Sequence, residues 1–133
     1  MPYSTEVHYA PAAMDAANEY TTMYDCSEFQ YCRITYITAS SANATVKVYG
    51  SGQLAQPSLA AAFGATNQFF TVWFWYSDLP LTAVDGDTGT AWSGTDANYA
   101  LIVDCRSIKW LGVLMTARSA GSVTAYFDFF NKN

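Results

Sequence analysis

One pattern, written twice, constrains this chain more than anything else in it. Residues 20–50 read YTTMYDCSEFQYCRITYITASSANATVKVYG, and residues 99–129 read YALIVDCRSIKWLGVLMTARSAGSVTAYFDF. Laid together without a gap, Tyr20 meets Tyr99, Asp25-Cys26 meets Asp104-Cys105, Ser40 meets Ser119 and Thr45 meets Thr124. Softer matches fill the interval, among them Phe29 with Ile108, Tyr31 with Trp110, Ile34 with Val113 and Val48 with Phe127. A repeated unit fixes the architecture before any single residue is interpreted, because each copy must satisfy the same local rules.

The unit alternates with a period of two. Cys32, Ile34 and Tyr36 alternate with Tyr31, Arg33 and Thr35, and Leu111, Val113 and Met115 with Trp110, Gly112 and Leu114. Further on, Ala44, Val46 and Val48 face away from Thr45, Lys47 and Tyr49. In the other copy Val123, Ala125, Phe127 and Phe129 face away from Thr124, Tyr126 and Asp128. Such alternation predicts strands with one packed face, and no helix would gather these residues on one side. Between the strands lie Ser40-Ser41-Ala42-Asn43 and Ser119-Ala120-Gly121-Ser122, which suit hairpin turns. The fold expected is all-β: a two-sheet antiparallel sandwich of jelly-roll type, with two pseudo-repeated halves and an extended N-terminal arm. Residues 1–18 form the arm and residues 19–133 a single domain; an immunoglobulin-like sandwich is the second choice.

Charge narrows the partners. Only 13% of the residues are charged while 17% are aromatic, a coat sparse enough that neighbouring subunits are expected to cover part of the surface. The net charge is −5 and the six basic residues never cluster, so no patch exists to release counterions from nucleic acid. No apolar run approaches the roughly 20 residues of a membrane helix, and residues 1–14 show no secretory signal pattern. Three cysteines argue against a disulfide framework. Cys26 and Cys105, equivalent in the repeat, are expected to be buried thiols, although a pseudo-symmetric core would also let them approach each other.

The rest of the chain is less regular. The arm has one alternating spot, Val7-His8-Tyr9, and an alanine-rich run near residues 12–17 that suits a short strand or a helical turn. Residues 53–67 form an alanine-rich loop dotted with Leu54, Leu59 and Phe63. Residues 69–76, FFTVWFWY, are apolar in both phases, which fits a continuous strand covered on both faces. Its rings either fill the core or, through Trp73 and Trp75, meet a partner. A Gly/Asp/Thr-rich loop over residues 84–94 is anchored by Trp92.

Chemistry is hard to find. His8 is the only histidine and lies in the arm, and no serine sits in a nucleophile-elbow pattern. Asp25 and Asp104 repeat, but at strand-to-corner junctions, where a carboxylate caps backbone N–H groups. Asp85-Gly86-Asp87-Thr88-Gly89 resembles the start of a calcium loop but lacks the downstream bidentate glutamate, so a solvated turn is expected. No zinc spacing and no phosphate loop occur. Trp92, Asp96, Asn98 and Tyr99 make up a candidate sugar-binding patch of the kind jelly rolls carry.

The phrase Asp25-Cys26-Ser27-x-Phe29-x-Tyr31, leading to Ala44-Thr45-Val46-Lys47-Val48-Tyr49, resembles small β-sandwich structural proteins of tailed bacteriophages. So do Leu101-Ile102-Val103-Asp104-Cys105 and Val123-Thr124-Ala125-Tyr126. The resemblance spans most of residues 20–130 and implies a capsid cement (decoration) protein: a virion protein made in the host cytoplasm and placed on the capsid surface. Such a protein forms homo-dimers or homo-trimers, ties neighbouring major capsid subunits together, uses no cofactor and catalyses nothing. A tail or fibre protein is the alternative placement. No shell-contacting residue carries over, so the candidate contacts rest on ring chemistry alone: Tyr3, Tyr9, Trp73, Trp75, Phe129 and Phe130.

Overall fold

The alternation at residues 31–36 and at 44–49 belongs to one strand. The computed structural model describes residues 7–9, 13–60, 69–78 and 82–131. Nine strands occur among them, and no α-helix: β1 (Val7–Tyr9), β2 (Tyr24–Asp25), β3 (Tyr31–Ser51), β4 (Phe70–Thr71), β5 (Phe74–Tyr76), β6 (Ala83–Val84), β7 (Thr90–Ser93), β8 (Tyr99–Asp104) and β9 (Trp110–Phe130). β3 and β9 are each 21 residues long and pair antiparallel from end to end, Tyr31 with Phe130 and Ser51 with Trp110. These are the pairs the repeat demands. Tyr31 is equivalent to Trp110 and Ser51 to Phe130, so exchanging the copies maps the ribbon onto itself. The flanks obey the same pseudo-two-fold rule: Asp25 lies opposite Trp110 and Asp104 opposite Tyr31. Likewise Cys26 N–H donates to Lys109 C=O and Cys105 N–H to Gln30 C=O, both at 2.8 Å.

The expected hairpin turns at 40–43 and 119–122 are not turns. They lie opposite each other in the middle of the ribbon, with Ala39 paired to Ser122 and Asn43 to Ala120, and the register shifts between them. Ser40, Ser41 and Gly121 take φ of 61°, 56° and 72°. Small polar residues tolerate this left-handed backbone equally in a turn or a bulge, and only the long-range partner decides between the two. Here β9 occupies the edge that residues 44–51 would need in order to fold back on 31–39. The ribbon therefore bends without breaking.

The bend makes the sandwich. One layer consists of the first half of β3 and the last half of β9, with β8, β5, β6 and β1 beside them; the other has the second half of β3 and the first half of β9, flanked by β2, β4 and β7. Even-numbered residues of β3 point inward on both sides of the bulge, Cys32, Ile34 and Tyr36 in one layer and Val46 and Val48 in the other, all fully buried. Val113, Met115, Phe127 and Phe129 of β9 join them in one core. Rings bridge the layers: Tyr24 lies 4.9 Å from Phe127, and Trp92 meets Tyr36 edge-on at 5.6 Å. The sequence phases for all four strand segments hold.

Other expectations need correction. Residues 69–76 do not form one strand. β4 pairs with Tyr49 and Gly50 in one layer and β5 with Leu101 and Ile102 in the other, so the segment crosses between layers. Gly86 lets the crossing backbone come close, since a Cβ there would stand 2.7 Å from Val72 N. The described part of the arm docks on the body as a sheet edge, its Val7-His8-Tyr9 spot forming β1. β1 pairs with residues 127–129 of β9, Met14 bridges to Val123, and Asn18 N–H donates to Met115 C=O. Residues 13–17 form no helical turn; Ala12, Phe63 and Tyr3 fall outside the described residues.

Two substitutions test this reading. Val113→Asp buries an unpaired carboxylate in the inner face of β9 and should abolish the cooperative melt. Gly121→Ala places a Cβ 2.6 Å from Ala39 C=O at a positive φ, and should cost about 1–3 kcal/mol in chemical denaturation. Unchanged midpoints for either would contradict the assigned bend and phase.

Candidate functional site

Each layer of a sandwich also has an outer face, and the two outer faces here differ. In the second layer, Trp110, Gly112 and Leu114 of β9 and Tyr49 of β3 point outward. Met23 and Leu59 pack over them and are buried with Leu114 in a second small core, against which Phe69 also rests. A side chain on Gly112 would stand 2.7 Å from Met23 Sδ, so the glycine makes room for the cover. The indole of Trp110 donates to Gln53 C=O at 2.9 Å. The chain thus covers the Gly112–Leu114 stretch of this face itself, while Tyr20 beside Leu114 stays 43% exposed.

The first layer is open. Register places Trp75, Ile102, Arg33 and Asp128 in one row across β5, β8, β3 and β9. Ala100, Thr35 and Tyr126 form the next row, and Ile37 sits opposite Thr124. Directly opposed residues share a face, so this surface is one apolar and aromatic sheet. Ile37 is 42% exposed and Tyr126 37%. At its far end Tyr31 stacks on Phe130 at 5.8 Å, with the guanidiniums of Arg106 over Tyr31 and Arg33 over Phe130. Arg33 pairs with Asp128 at 3.3 Å.

The carboxylates serve the backbone, as their places in the sequence suggested. Asp25 Oδ1 accepts from Ser27 N–H at 2.9 Å and from its hydroxyl at 2.6 Å. Asp104 Oδ1 accepts from Arg106 N–H at 3.1 Å and from its guanidinium at 2.9 Å. These bonds hold both carboxyls below the usual carboxylate range. Asp85 accepts from Asp87 N–H, and Asp87 from the Thr71 hydroxyl, so the calcium-like loop is a self-closed turn. Cys26, Cys32 and Cys105 are buried free thiols. Burial pushes the Cys32 thiol well up, and for Cys105 the hydrogen bond with Cys26 acts first, then burial.

Of the sugar patch, Tyr99 packs on Trp92 at 5.8 Å and is 37% exposed, but the rest serves other ends. Trp92 is buried, its indole donating to Ala97 C=O at 2.8 Å, so it offers no stacking platform. Asp96 instead accepts from Ser41 N–H at 3.1 Å and Ala42 N–H at 3.0 Å, the donors that the bulge removes from the ladder. Asn98 Oδ1 accepts from Thr38 N–H, and the Thr38 hydroxyl accepts from Ala97 N–H. This loop is a staple on the bend.

Of the aromatic contact candidates, Trp73 is 55% exposed, and Trp75 and Phe130 are half-buried on the open face. Phe129 is a correction. It shares the inward phase of Phe127 and is fully buried, with Phe29 and Tyr24 against its ring, so its ring belongs to the core and not to the outer surface. Tyr9 is placed only through its backbone pairing with Phe127, and Tyr3 lies outside the described residues. Sequence reasoning missed Ile37, Ile102 and Tyr126. Their outward phase was legible, but the partial exposure it leaves them with was not.

No family model matches the chain, and no curated protein matches it. Among solved structures it is similar to the SPBc2 prophage-derived protein YomS, with a TM-score of 0.72 over 98% of this chain and 96% of that one, at 8% identity. The likeness is one of fold: an all-β antiparallel sandwich.

Two measurements check the polar network. Asp25, Asp96 and Asp104 have lowered pKa values through hydrogen bonds to their carboxylates. Their contribution is present above the unfolded value near 3.9 and is lost as pH falls through the still lower folded values. The melting temperature should drop below about pH 4, and Asp96→Asn should lower it at neutral pH while flattening the acid limb. The Tyr36 hydroxyl is fully buried with no hydrogen-bond partner among the described residues, so Tyr36→Phe should stabilise the fold by up to about 1 kcal/mol.

Proposed function

We propose that the chain is a non-enzymatic structural protein of a tailed-phage virion, most simply a cement protein that binds the capsid surface and ties neighbouring major capsid subunits together. The observation that carries this reading is Trp73. It is 55% exposed, yet it sits on a crossover pinned on one side by β4 to β3 and on the other by β5 to β8. Phe70, three residues earlier, is 44% exposed. Rigid rings held in solvent give large contact area for little lost side-chain entropy, which favours docking on another protein. The use of the acids supports the same reading, since Asp25, Asp85, Asp96 and Asp104 hold turns and bulges. The fold shared with a prophage-derived protein agrees with a phage origin. Attachment at several capsid subunits at once would raise the effective concentration of each further contact.

Co-sedimentation of the purified chain with mature capsids of its phage tests this. The chain should pellet with capsids and raise the temperature at which they disrupt. Trp73→Ala should weaken binding by about 10-fold or more without moving the chain's own melting temperature. A wild-type chain that stays in the supernatant would overturn the role.

A further inference from the structure

We infer that the open outer face of the first layer is a self-association surface, on which two copies of this chain pack face to face with β3 of each over β9 of the other. The inference goes beyond the proposed role and does not use Trp73. It starts from the contrast between the layers. The repeat makes the two outer faces equivalent, and the chain closes one of them with Met23 and Leu59 over Gly112 and Leu114. At the equivalent positions of the other face stand Arg33 and Thr35, flanked by Ile102, Ile37 and Tyr126. Ile37 and Tyr126 remain 42% and 37% exposed.

Charge and register choose the occupant. The chain carries −5 overall, but among the described residues the charged side chains on this face come in opposite pairs: Arg33 with Asp128 at 3.3 Å, and Arg106 with Asp104 at the rim. A strongly charged partner has nothing to grip here, whereas a copy of the same surface meets no net repulsion. Arg33 and Asp128 are also directly opposed across the ribbon. A two-fold axis running along the ribbon, in the plane between the copies, exchanges the positions of β3 and β9. Arg33 of each copy then lies over Asp128 of the second, Thr35 over Tyr126, and Tyr31 over Phe130. The small residue meets the large one, ring meets ring, and each charge meets its opposite. The face is complementary to itself, which is what an isologous contact requires. Face-to-face sheets of this kind pack about 10 Å apart with strands roughly aligned.

The test is the solution mass of the full chain by light scattering and sedimentation equilibrium, from micromolar to near-millimolar concentration. The wild type should reach twice the 14.6 kDa chain mass. Arg33→Asp sets carboxylate over carboxylate at both crossings of the dimer, and Asp128→Arg sets guanidinium over guanidinium. Each variant alone should dimerise at least about 10-fold more weakly. An equimolar mixture should recover dimerisation, because every charge then faces its opposite in the heterodimer. Recovery on mixing cannot come from a folding defect. Ile37→Glu should give a monomer that melts normally. A wild type that stays at the monomer mass, single variants that still dimerise, or a mixture that stays monomeric would each overturn the inference. A monomer that still binds capsids leaves the proposed role standing; a dimer that does not bind them removes that role and leaves this surface.

Discussion

The pairing of β3 with β9 runs from Tyr31–Phe130 at one end to Ser51–Trp110 at the other, interrupted only by the central bulge, and both layers of the sandwich are made from that ribbon. It explains why the two repeats cannot fold as independent halves. Each contributes one strand to the ribbon, and each layer contains the first half of one strand and the last half of the other. The core is then a consequence of the bend, which brings the inward face of residues 32–36 against that of residues 46–50. Long-range contacts dominate such a topology, and their loop-closure cost makes slow folding the expectation for a chain of this kind.

Much of the polar chemistry goes into making the bend possible. Bending a paired ribbon leaves backbone donors out of the ladder, and unpaired buried donors are costly. Asp96 takes up two of them, at Ser41 and Ala42, and the buried indole of Trp92 ties down the loop that carries it. The corners at Asp25 and Asp104 do the same work at the ribbon's ends. Residues that looked like a ligand patch in one dimension are therefore support for a bulge in three.

The difference between the two outer faces follows from departures from the repeat. Gly112 stands where Arg33 stands in the other copy, and the missing side chain admits Met23 and Leu59. The first repeat keeps Arg33 and Thr35 at these places and gains β8, β5 and β6 alongside, which widen the sheet and extend an apolar surface without closing it. The chain thus covers part of one outer face itself, while Ile37 and Tyr126 of the other stay partly exposed.

Alternation over residues 31–36, 44–49, 111–115 and 123–129 determined strand, phase and inward face by itself, because the period of a strand is local and burial on one face leaves a direct trace in residue type. The Asx corners were legible for the same reason, since a carboxylate and the N–H it caps lie two residues apart. Whether Ser40–Asn43 turned the chain or merely bent it was decided only in the tertiary structure: the same φ values serve both, and the choice belongs to a partner strand about 80 residues away. The split of FFTVWFWY between layers and the exposure of Ile37 and Tyr126 were settled there too. Each depends on which surfaces meet, and a linear pattern records which side a residue faces but not what lies across from it.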